Sequence, residues 1–455
     1  MSKIIELFIV LILAIVLTGC TRNTITTTPT RLPATATQTA IPYPSIIPSP
    51  TPGVTVAATT TTFTTTETSV TGNEGLTPCV NKDNPLPFDP AQRLPGTLLF
   101  NVDWKVVALD AANFTERILV DLNEQGSYEA FGLSPSDRWL ALISGGPLSK
   151  GPLVFTLLSA TGEVIKQQPE WFFPLLSGKE YGWAGRGWIG DQTVMITYGD
   201  DENKGGTGLF DPFTGEWRQS LIDELPGLYN REYFSGIAFS PDLTRALYVR
   251  EAKTDEKPDL VLWDTIHHKE LWRKIYNYGP PHDELVGLQP SAWAQDSSVI
   301  AFAYHEESDD PDQITLYLLD RDGKQLHTIR PDIPLDGVLA WNWSPDGRYI
   351  GLFSVPREDD PSTKGIVLYD RIRNSVIDIC PLAKEDDLLT HLVSKRIIWS
   401  PDSRYIVFDI GPNSPEEKSK LVMLNIYTGE VRLIKRGTDY YFLVGWSAIS
   451  PWIGP

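Results

Sequence analysis

The feature that most constrains this fold is a short turn motif that recurs along the chain. Its clearest copy is residues 343–350, with the sequence WSPDGRYI. Pro345 presets the backbone φ angle of the turn, and Gly347 accepts a positive φ before an apolar strand resumes. Seven copies have their second positions at residues 134, 189, 240, 294, 344, 400 and 447. This spacing of about fifty residues indicates a repeat architecture.

Each repeat carries a second recurring piece downstream of this turn, made of two apolar runs joined by a polar turn. The first run is LVLWD at 260–264, ITLYLLD at 314–320 and IVLYD at 366–370. The polar turn is TGE at 161–163, 214–216 and 428–430. A repeat therefore has four short strands, as a β-propeller blade does. The sequence predicts an all-β, seven-bladed propeller of four-stranded antiparallel blades.

The two ends of the repeat region predict how the ring closes. The chain enters at residues 96–102 with what would be the second strand of a blade, and it ends at 442–447 with a first strand. Pairing these two strands would cover an edge that is otherwise unpaired. We therefore expect the C-terminal strand to complete the N-terminal blade.

A family resemblance follows from the turn motif. The Ser-Pro-Asp-Gly-Arg turn of residues 344–348, followed by apolar residues, resembles the bacterial TolB-type, WD-repeat-like propeller family. The resemblance extends over residues 96–449 and implies the propeller fold. It implies little about the ligand, because the motif is specific for the fold.

The first twenty residues are typical of a targeting segment. Lys3 precedes an apolar run over residues 7–17, and LTGC follows at 17–20. This ending resembles a bacterial lipobox, in which residues 1–19 are a signal peptide and Cys20 becomes the lipid-modified N-terminus. A transmembrane helix, or a signal peptide with a chance cysteine, is the alternative. The lipobox predicts an extracytoplasmic protein of the bacterial cell envelope, attached to the membrane by lipid.

The region after Cys20 is a candidate stalk. Residues 21–71 contain twenty Thr and seven Pro but only three charged residues. Such a segment cannot bury enough apolar surface to offset the entropy of ordering it. We expect a disordered stalk over 20–78, a Pro-rich lead-in over 79–95, the propeller over 96–449 and a tail over 450–455.

The remaining cysteines, Cys79 and Cys380, form an even pair in a compartment that would be oxidising. A disulfide between them and two buried thiols are both consistent with the sequence.

The sequence shows no familiar catalytic or cofactor motif. It has no Gly-x-Ser-x-Gly nucleophile motif, and its six histidines lack metal-site spacing. We read the aspartates of the repeated turns as turn residues rather than as sialidase Asp-boxes. We therefore predict no metal and no cofactor. The net charge of −19 argues against a nucleic-acid partner.

The two kinds of connection predict where a ligand would bind. Tight turns share one face of the propeller, whereas long, acidic and aromatic connections share the other. Function in repeat proteins usually resides in such variable loops. An alternative is that the acids serve solubility and the rings hold the loops in place. The candidate ligand-binding residues are Trp171, Tyr181, Tyr229, Tyr278, Asp309 and Asp310.

Three functions remain open from the sequence, of which the last is a tether or scaffold for another envelope protein. The first is a membrane-anchored, extracytoplasmic binding or interaction module without catalysis, whose ligand is a protein or a glycan. The second is an extracytoplasmic glycan hydrolase or lyase, which needs two carboxylates about 5 to 10 Å apart across a cleft. A structure in which acidic side chains from different blades lie close together would favour the hydrolase or lyase.

Overall fold

The chain divides between Thr71 and Gly72, and the structure described below belongs to the second unit. The structure is a computed structural model. It describes residues 76–81, 85–87, 93–102, 105–121, 128–144, 154–168, 181–200, 205–218, 220–228, 237–251, 258–275, 292–305, 314–329, 338–354, 366–380, 397–410, 419–437 and 442–449.

Almost all regular structure in these ranges is β-strand. The strands are β1 (Leu86–Pro87), β2 (Thr97–Val102), β3 (Lys105–Asp110), β4 (Glu116–Asp121), β5 (Tyr128–Leu133), β6 (Trp139–Ser144), β7 (Val154–Ser159), β8 (Val164–Gln168), β9 (Tyr181–Ile189), β10 (Thr193–Asp200), β11 (Gly205–Phe210), β12 (Ile237–Phe239), β13 (Arg245–Arg250), β14 (Asp259–Asp264), β15 (Lys269–Ile275), β16 (Val299–His305), β17 (Ile314–Asp320), β18 (Gln325–Ile329), β19 (Val338–Trp343), β20 (Tyr349–Ser354), β21 (Ile366–Asp370), β22 (Ser375–Cys380), β23 (Ile398–Trp399), β24 (Tyr405–Ile410), β25 (Lys420–Asn425), β26 (Val431–Arg436) and β27 (Phe442–Ser447). A short helix, α1, spans Ser220–Asp223. Within the described ranges, no helix has the length and hydropathy needed to cross a membrane.

The strands form seven sheets, which are the blades of a seven-bladed β-propeller. In hydrogen-bonded order, blade 1 is β27-β2-β3-β4, blade 2 is β5-β6-β7-β8, blade 3 is β9-β10-β11, blade 4 is β12-β13-β14-β15, blade 5 is β16-β17-β18, blade 6 is β19-β20-β21-β22 and blade 7 is β23-β24-β25-β26 with β1 outside it. The first strands of blades 7, 1, 2 and 3 contact one another in sequence, so they lie on the inside of the ring. The fold class predicted from the turn spacing is confirmed.

The ring closes as the sequence predicts. Strand β27 pairs antiparallel with β2, with Trp446 opposite Leu98 and Phe442 opposite Asn101. The two ends of the repeat region thus share blade 1.

The expectation of four strands in every blade is wrong for two blades. Among the described residues, blade 3 has three strands, and its fourth is reduced to a bridge between Phe210 and Trp217. The Trp217 ring covers Gly208, where a Cβ would lie 2.1 Å from the ring. In blade 5 the described part of the first strand is a bridge between Trp293 and Ile300, and residues 276–291 before it lie outside the described ranges. Blade 7 gains a fifth strand, because β1 pairs in parallel with β26.

The repeated turn holds its shape through side-chain hydrogen bonds. In the clearest copy, the Ser344 hydroxyl donates to Asp346 (2.5 Å) and accepts from the Tyr349 N–H (2.9 Å). The Arg348 N–H donates to the same Asp346 carboxylate at 3.0 Å. These bonds hold the fourth turn residue at a positive φ even where it is not glycine. Its φ is 66° at Gly347, 60° at Asp137, 59° at Leu243 and Ser297, and 58° at Ser403.

The same turns bind each blade to the next. The Asp346 N–H of blade 6 donates to the Ser403 hydroxyl of blade 7 at 3.1 Å. The Asp242 N–H of blade 4 donates to Ser297 of blade 5 at 3.2 Å. A polar side chain at the positive-φ position therefore has a structural role between blades.

The tryptophan that precedes the turn also joins blades. Four indoles donate to a backbone carbonyl of the preceding blade: Trp188 to Gly132, Trp293 to Ala238, Trp343 to Ala292 and Trp399 to Asn342, at 2.9 to 3.2 Å. In blade 1, Trp446 donates to Pro95 of the lead-in at 2.8 Å. These rings are buried, so the tryptophans pack between neighbouring blades.

We predict that Trp343→Ala lowers the free energy of unfolding by about 3–5 kcal/mol, because it leaves a cavity and an unpaired carbonyl. Trp343→Phe keeps most of the ring but leaves the Ala292 carbonyl without its donor, so we expect a loss of about 1–2 kcal/mol. Urea denaturation measures both losses. Ile372→Ala, at a side chain that is 72% exposed, is the control. A Trp343→Ala loss no larger than that of the control would refute the prediction.

Candidate ligand-binding face

The strand ends define two faces of the propeller. The turns between first and second strands and between third and fourth strands lie on one, which we call the tight-turn face. The opposite strand ends lead into longer connections, as between β16, which ends at His305, and β17, which begins at Ile314. Between β20 and β21 the chain runs from Ser354 to Ile366. We call this side the long-connection face.

Several charged side chains on the tight-turn face are engaged in contacts within the propeller. Arg348 donates to the fully buried Asp370 at 2.8 Å. Burial opposes ionisation of Asp370, yet the hydrogen bonds from Arg348 and from the Arg373 N–H lower its pKa below the ordinary value. These side chains maintain the structure of the turns.

A second buried carboxylate on this face is satisfied in the same way. Asp264 accepts from the His267 ring and backbone N–H and lies 3.3 Å from Arg245. Although burial alone would raise its pKa, these partners lower it to about 2. Both carboxylates therefore stay charged near neutral pH, which suits a structural role.

Most of the predicted ligand-binding residues lie outside the described residues. They are Trp171, Tyr229, Tyr278, Asp309 and Asp310, and the lipidation candidate Cys20 is outside them as well. Tyr181 is the first residue of β9, where its backbone pairs with Asp200 at the long-connection end. That position agrees with the predicted face. The proximity of these side chains to one another stays a prediction.

The described residues at the long-connection end include a charged cluster on blade 4. Arg250 contacts Asp259 at 2.5 Å and Glu270 at 2.9 Å. The hydrogen bond that Arg250 donates to Asp259 is the main cause of the raised pKa of Arg250. Beside it, the buried Tyr248 hydroxyl donates to the Pro226 carbonyl at 3.0 Å, which fixes the connection from blade 3. The sequence could not indicate this cluster, because it depends on the register between strands.

An unpaired buried carboxyl lies near the same end of blade 7. Asp409 is the fifth residue of β24 and is 1% exposed. Tyr405 and Val407, on the same side of that strand, pack in a cluster with Phe100 of blade 1. Asp409 therefore points into the contact between blades 7 and 1. Neither of its oxygens has a hydrogen-bond partner in the structure as described.

The nearest cation in the same row of the sheet is committed elsewhere. Asp409 pairs with Leu421, which pairs with Lys435. Lys435, however, donates to both oxygens of Glu116 at 2.6 Å. Burial raises the pKa of Asp409 to about 7, and the backbone N–H of Asp409 itself offsets only part of this effect.

Comparison with other blades shows that this position is not always apolar. The fifth residue of the second strand is the buried apolar Ile143 in blade 2 and Val249 in blade 4, whereas in blade 1 it is Asn101, which is buried and also has an unpaired side-chain oxygen. The sequence signal was present, because Asp409 interrupts the apolar strand YIVFDI at 405–410. Because both oxygens of Asp409 are buried, we infer that this residue affects the stability of the fold and does not bind the ligand.

We predict that Asp409→Val stabilises the protein in a pH-dependent way. The pKa of Asp409 is raised in the folded state from its ordinary 3.8, so its unfavourable contribution grows as pH rises from about 4 to about 7. This difference corresponds to about 4 kcal/mol above pH 7 and to about 2 kcal/mol at pH 5. Urea denaturation at pH 5 and pH 8 measures the gain. Glu163→Gln, at an exposed turn, should change stability little at either pH. A gain that does not depend on pH would contradict the assignment.

Known proteins resemble this chain in fold only. No family model matches the sequence, and no curated protein sequence matches it. Among solved structures, TolB from Acinetobacter baumannii is 11% identical, with 75% of this chain and 79% of that chain covered and a TM-score of 0.40. An uncharacterized protein from Listeria monocytogenes is 11% identical, with coverage of 75% and 93% and a TM-score of 0.42. A quinonprotein alcohol dehydrogenase-like protein from Bacteroides thetaiotaomicron is 12% identical, with coverage of 77% and 78% and a TM-score of 0.44.

Proposed function

We propose that this protein is a lipid-anchored, extracytoplasmic propeller that binds a protein or glycan ligand on its long-connection face, without catalysis of its own. One observation carries the proposal. Several charged residues described on the tight-turn face bond within or between blades, as Arg348 does with Asp370 and Arg321 with Asp242. A ligand there would compete with bonds that hold the blades together, whereas the long connections join strands that are already paired.

The composition of the long connections supports a ligand that combines apolar surface with polar groups. The connection of residues 306–313 reads EESDDPDQ, and aromatic residues follow or precede neighbouring strands at Trp171, Tyr229 and Tyr278. Aromatic rings stack on the apolar faces of sugars while carboxylates accept from hydroxyls, and the same groups suit a cationic peptide. Salt distinguishes the two, because it screens exposed charge pairs and affects stacking little.

The anchor is supported by the N-terminal sequence. The apolar run of residues 7–17 is short for a membrane span and leads directly into LTGC at 17–20. The Thr- and Pro-rich stalk that follows would span about 40 Å as a flexible coil. A ligand outside the membrane would then be within reach of the propeller.

The ligand-binding prediction is tested with two loop variants and one matched control. A glycan array and a pull-down from bacterial membranes identify a binder. We expect Trp171→Ala and Tyr278→Ala each to weaken its binding by about 10-fold, because each removes an aromatic contact. Lys324→Ala, at an exposed tight turn, should leave binding unchanged. Arg348 is unsuitable as the control because it pairs with the buried Asp370.

Two outcomes would contradict the proposal. Equal losses from Lys324→Ala and from the loop variants would remove the ligand from the long-connection face. Cleavage of a bound glycan by the purified protein would support the hydrolase or lyase alternative instead.

The anchor prediction concerns Cys20. We expect Cys20→Ala to prevent lipid attachment, so that the protein remains unprocessed or is released from membranes. Metabolic labelling with a fatty-acid analogue and membrane fractionation measure the two effects. A Cys20→Ala protein that is processed and still membrane-bound would show that the lipobox interpretation is wrong. Ser2→Ala, in the same segment, is the control for expression and export.

A further inference from the structure

Residues 76–81 and 85–87, which together we call the strap, run along the outside of blades 6 and 7. The strap first meets the turn between the third and fourth strands of blade 7. The Thr77 N–H donates to the Ile426 carbonyl at 3.0 Å, and its hydroxyl donates to the Tyr427 carbonyl at 2.6 Å. The Val80 N–H donates to the Gly429 carbonyl at 2.9 Å. The strap is thus bonded to the backbone of a single turn.

The strap then follows the outer edge of blade 7. The Asn81 amide donates to the Val431 carbonyl and accepts from the Val431 N–H, both at 2.8 Å. Beyond it, Leu86 lies opposite Arg432 in the parallel pairing of β1 with β26. This is addition of a strand to an exposed sheet edge, the mode by which many sheets bind extended peptides. Here the segment that is bound belongs to the same chain.

The blade 7 turn is shaped to accept the strap. Gly429 has a φ of 70°, and a Cβ on it would lie 2.0 Å from the Pro78 carbonyl oxygen. Leu76 and Cys79 of the strap pack against the apolar cluster between blades 6 and 7. The strap therefore has its own backbone bonds, its own apolar contacts and a glycine that leaves room for it.

A covalent bond also holds the strap. Cys79 is disulfide-bonded, and its N–H donates to the Ile379 carbonyl at 2.5 Å. The chain has three cysteines, at positions 20, 79 and 380, and Cys380 is the next residue after Ile379, at the end of β22. The backbone of the strap thus lies directly beside Cys380.

We propose that Cys79 pairs with Cys380 and that the strap is a load-bearing attachment, through which tension on the N-terminal tether enters blade 6 instead of blade 1. The tether is part of the function proposed above, and this inference rests on it. Without the disulfide, tension that detached the strap would next reach β2, which pairs with β27 to close the ring. With it, tension passes from Cys79 to Cys380, and β2 lies in the part of the chain that the crosslink shields.

Single-molecule pulling of the full chain tests the proposal. Handles are attached within the stalk and at Pro455, and the protein is kept oxidised. In the unchanged chain only residues 381–455 can be extended, which releases about 260 Å at about 3.5 Å per residue. In Cys380→Ser the extension should be about 1,300 Å, because residues 80–455 unfold. The first rupture should occur at lower force.

Cys79→Ser should behave as Cys380→Ser does, whereas Cys20→Ala should keep the short extension. A long extension in the unchanged chain would overturn the pairing. Equal first rupture forces for the unchanged chain and Cys380→Ser would overturn the load-bearing role. Membrane fractionation of the same variants reports separately on the anchor, so loss of anchoring with a short extension would count against the proposed function alone.

A glycine variant tests the noncovalent part of the strap while the disulfide stays intact. Gly429→Ala should increase hydrogen exchange at the Thr77 and Val80 amides by 10-fold or more, because its Cβ would displace Pro78. Gly347→Ala is the matched control, since Gly347 has a similar φ of 66° but no atom within 4 Å of the added Cβ. Unchanged exchange in Gly429→Ala, or an equal increase in Gly347→Ala, would show that the turn does not hold the strap.

Discussion

The structure depends on contact between neighbouring blades. Each apolar cluster of the core draws residues from adjacent blades, as where Tyr349 of blade 6 stacks on Trp399 of blade 7 with ring centroids 6.1 Å apart. A single blade would expose two apolar faces, and a small isolated sheet with such faces is not stable in water. Blades of this chain therefore need neighbours on both sides. Closure of the ring through β27 and β2 supplies a neighbour to the first and last blades.

Hydrogen bonds between blades explain why the repeated turn departs from glycine. A glycine at the positive-φ position relieves backbone strain, as Gly347 does. It has no side chain to accept a bond from the preceding blade, however, whereas Ser403 and Ser297 do accept one. The two requirements oppose each other. Among the described non-glycine copies, Asp137, Ser297 and Ser403 accept such a bond, whereas Leu243 has a positive φ but no acceptor on its side chain. The hydrogen bonds that the tryptophan indoles donate to the preceding blade are a second set of polar contacts between blades. Apolar packing alone therefore does not set the spacing of the blades.

Local chemistry explains which parts of the fold the sequence could predict. Turns and strands are determined by patterns of a few neighbouring residues. The seven turns and the pairing of the closing strands could therefore be predicted from the sequence. The strap was not, because β1 has only two residues and its partner Arg432 is more than 300 positions away along the chain. The shortened fourth strand of blade 3 was also missed, since it depends on where the Trp217 ring packs. For the ligand-binding face, the sequence named residues of which the structure places only the backbone of Tyr181.

The strap and Asp409 both affect the stability of blade 7. We expect the strap to stabilise this blade and Asp409 to destabilise its contact with blade 1. The strap adds backbone bonds to the outer edge of that blade, whereas Asp409 places an unpaired carboxyl in its contact with blade 1. We predict that the contact between blades 7 and 1 weakens as Asp409 ionises, although Lys435 and Glu116 bridge the same two blades. A tether that pulled on blade 1 would load the blade beside this contact. The proposed attachment at blade 6 would instead direct tension into the contact between blades 6 and 7, where Tyr349 and Trp399 stack and no unpaired buried acid is found among the described residues.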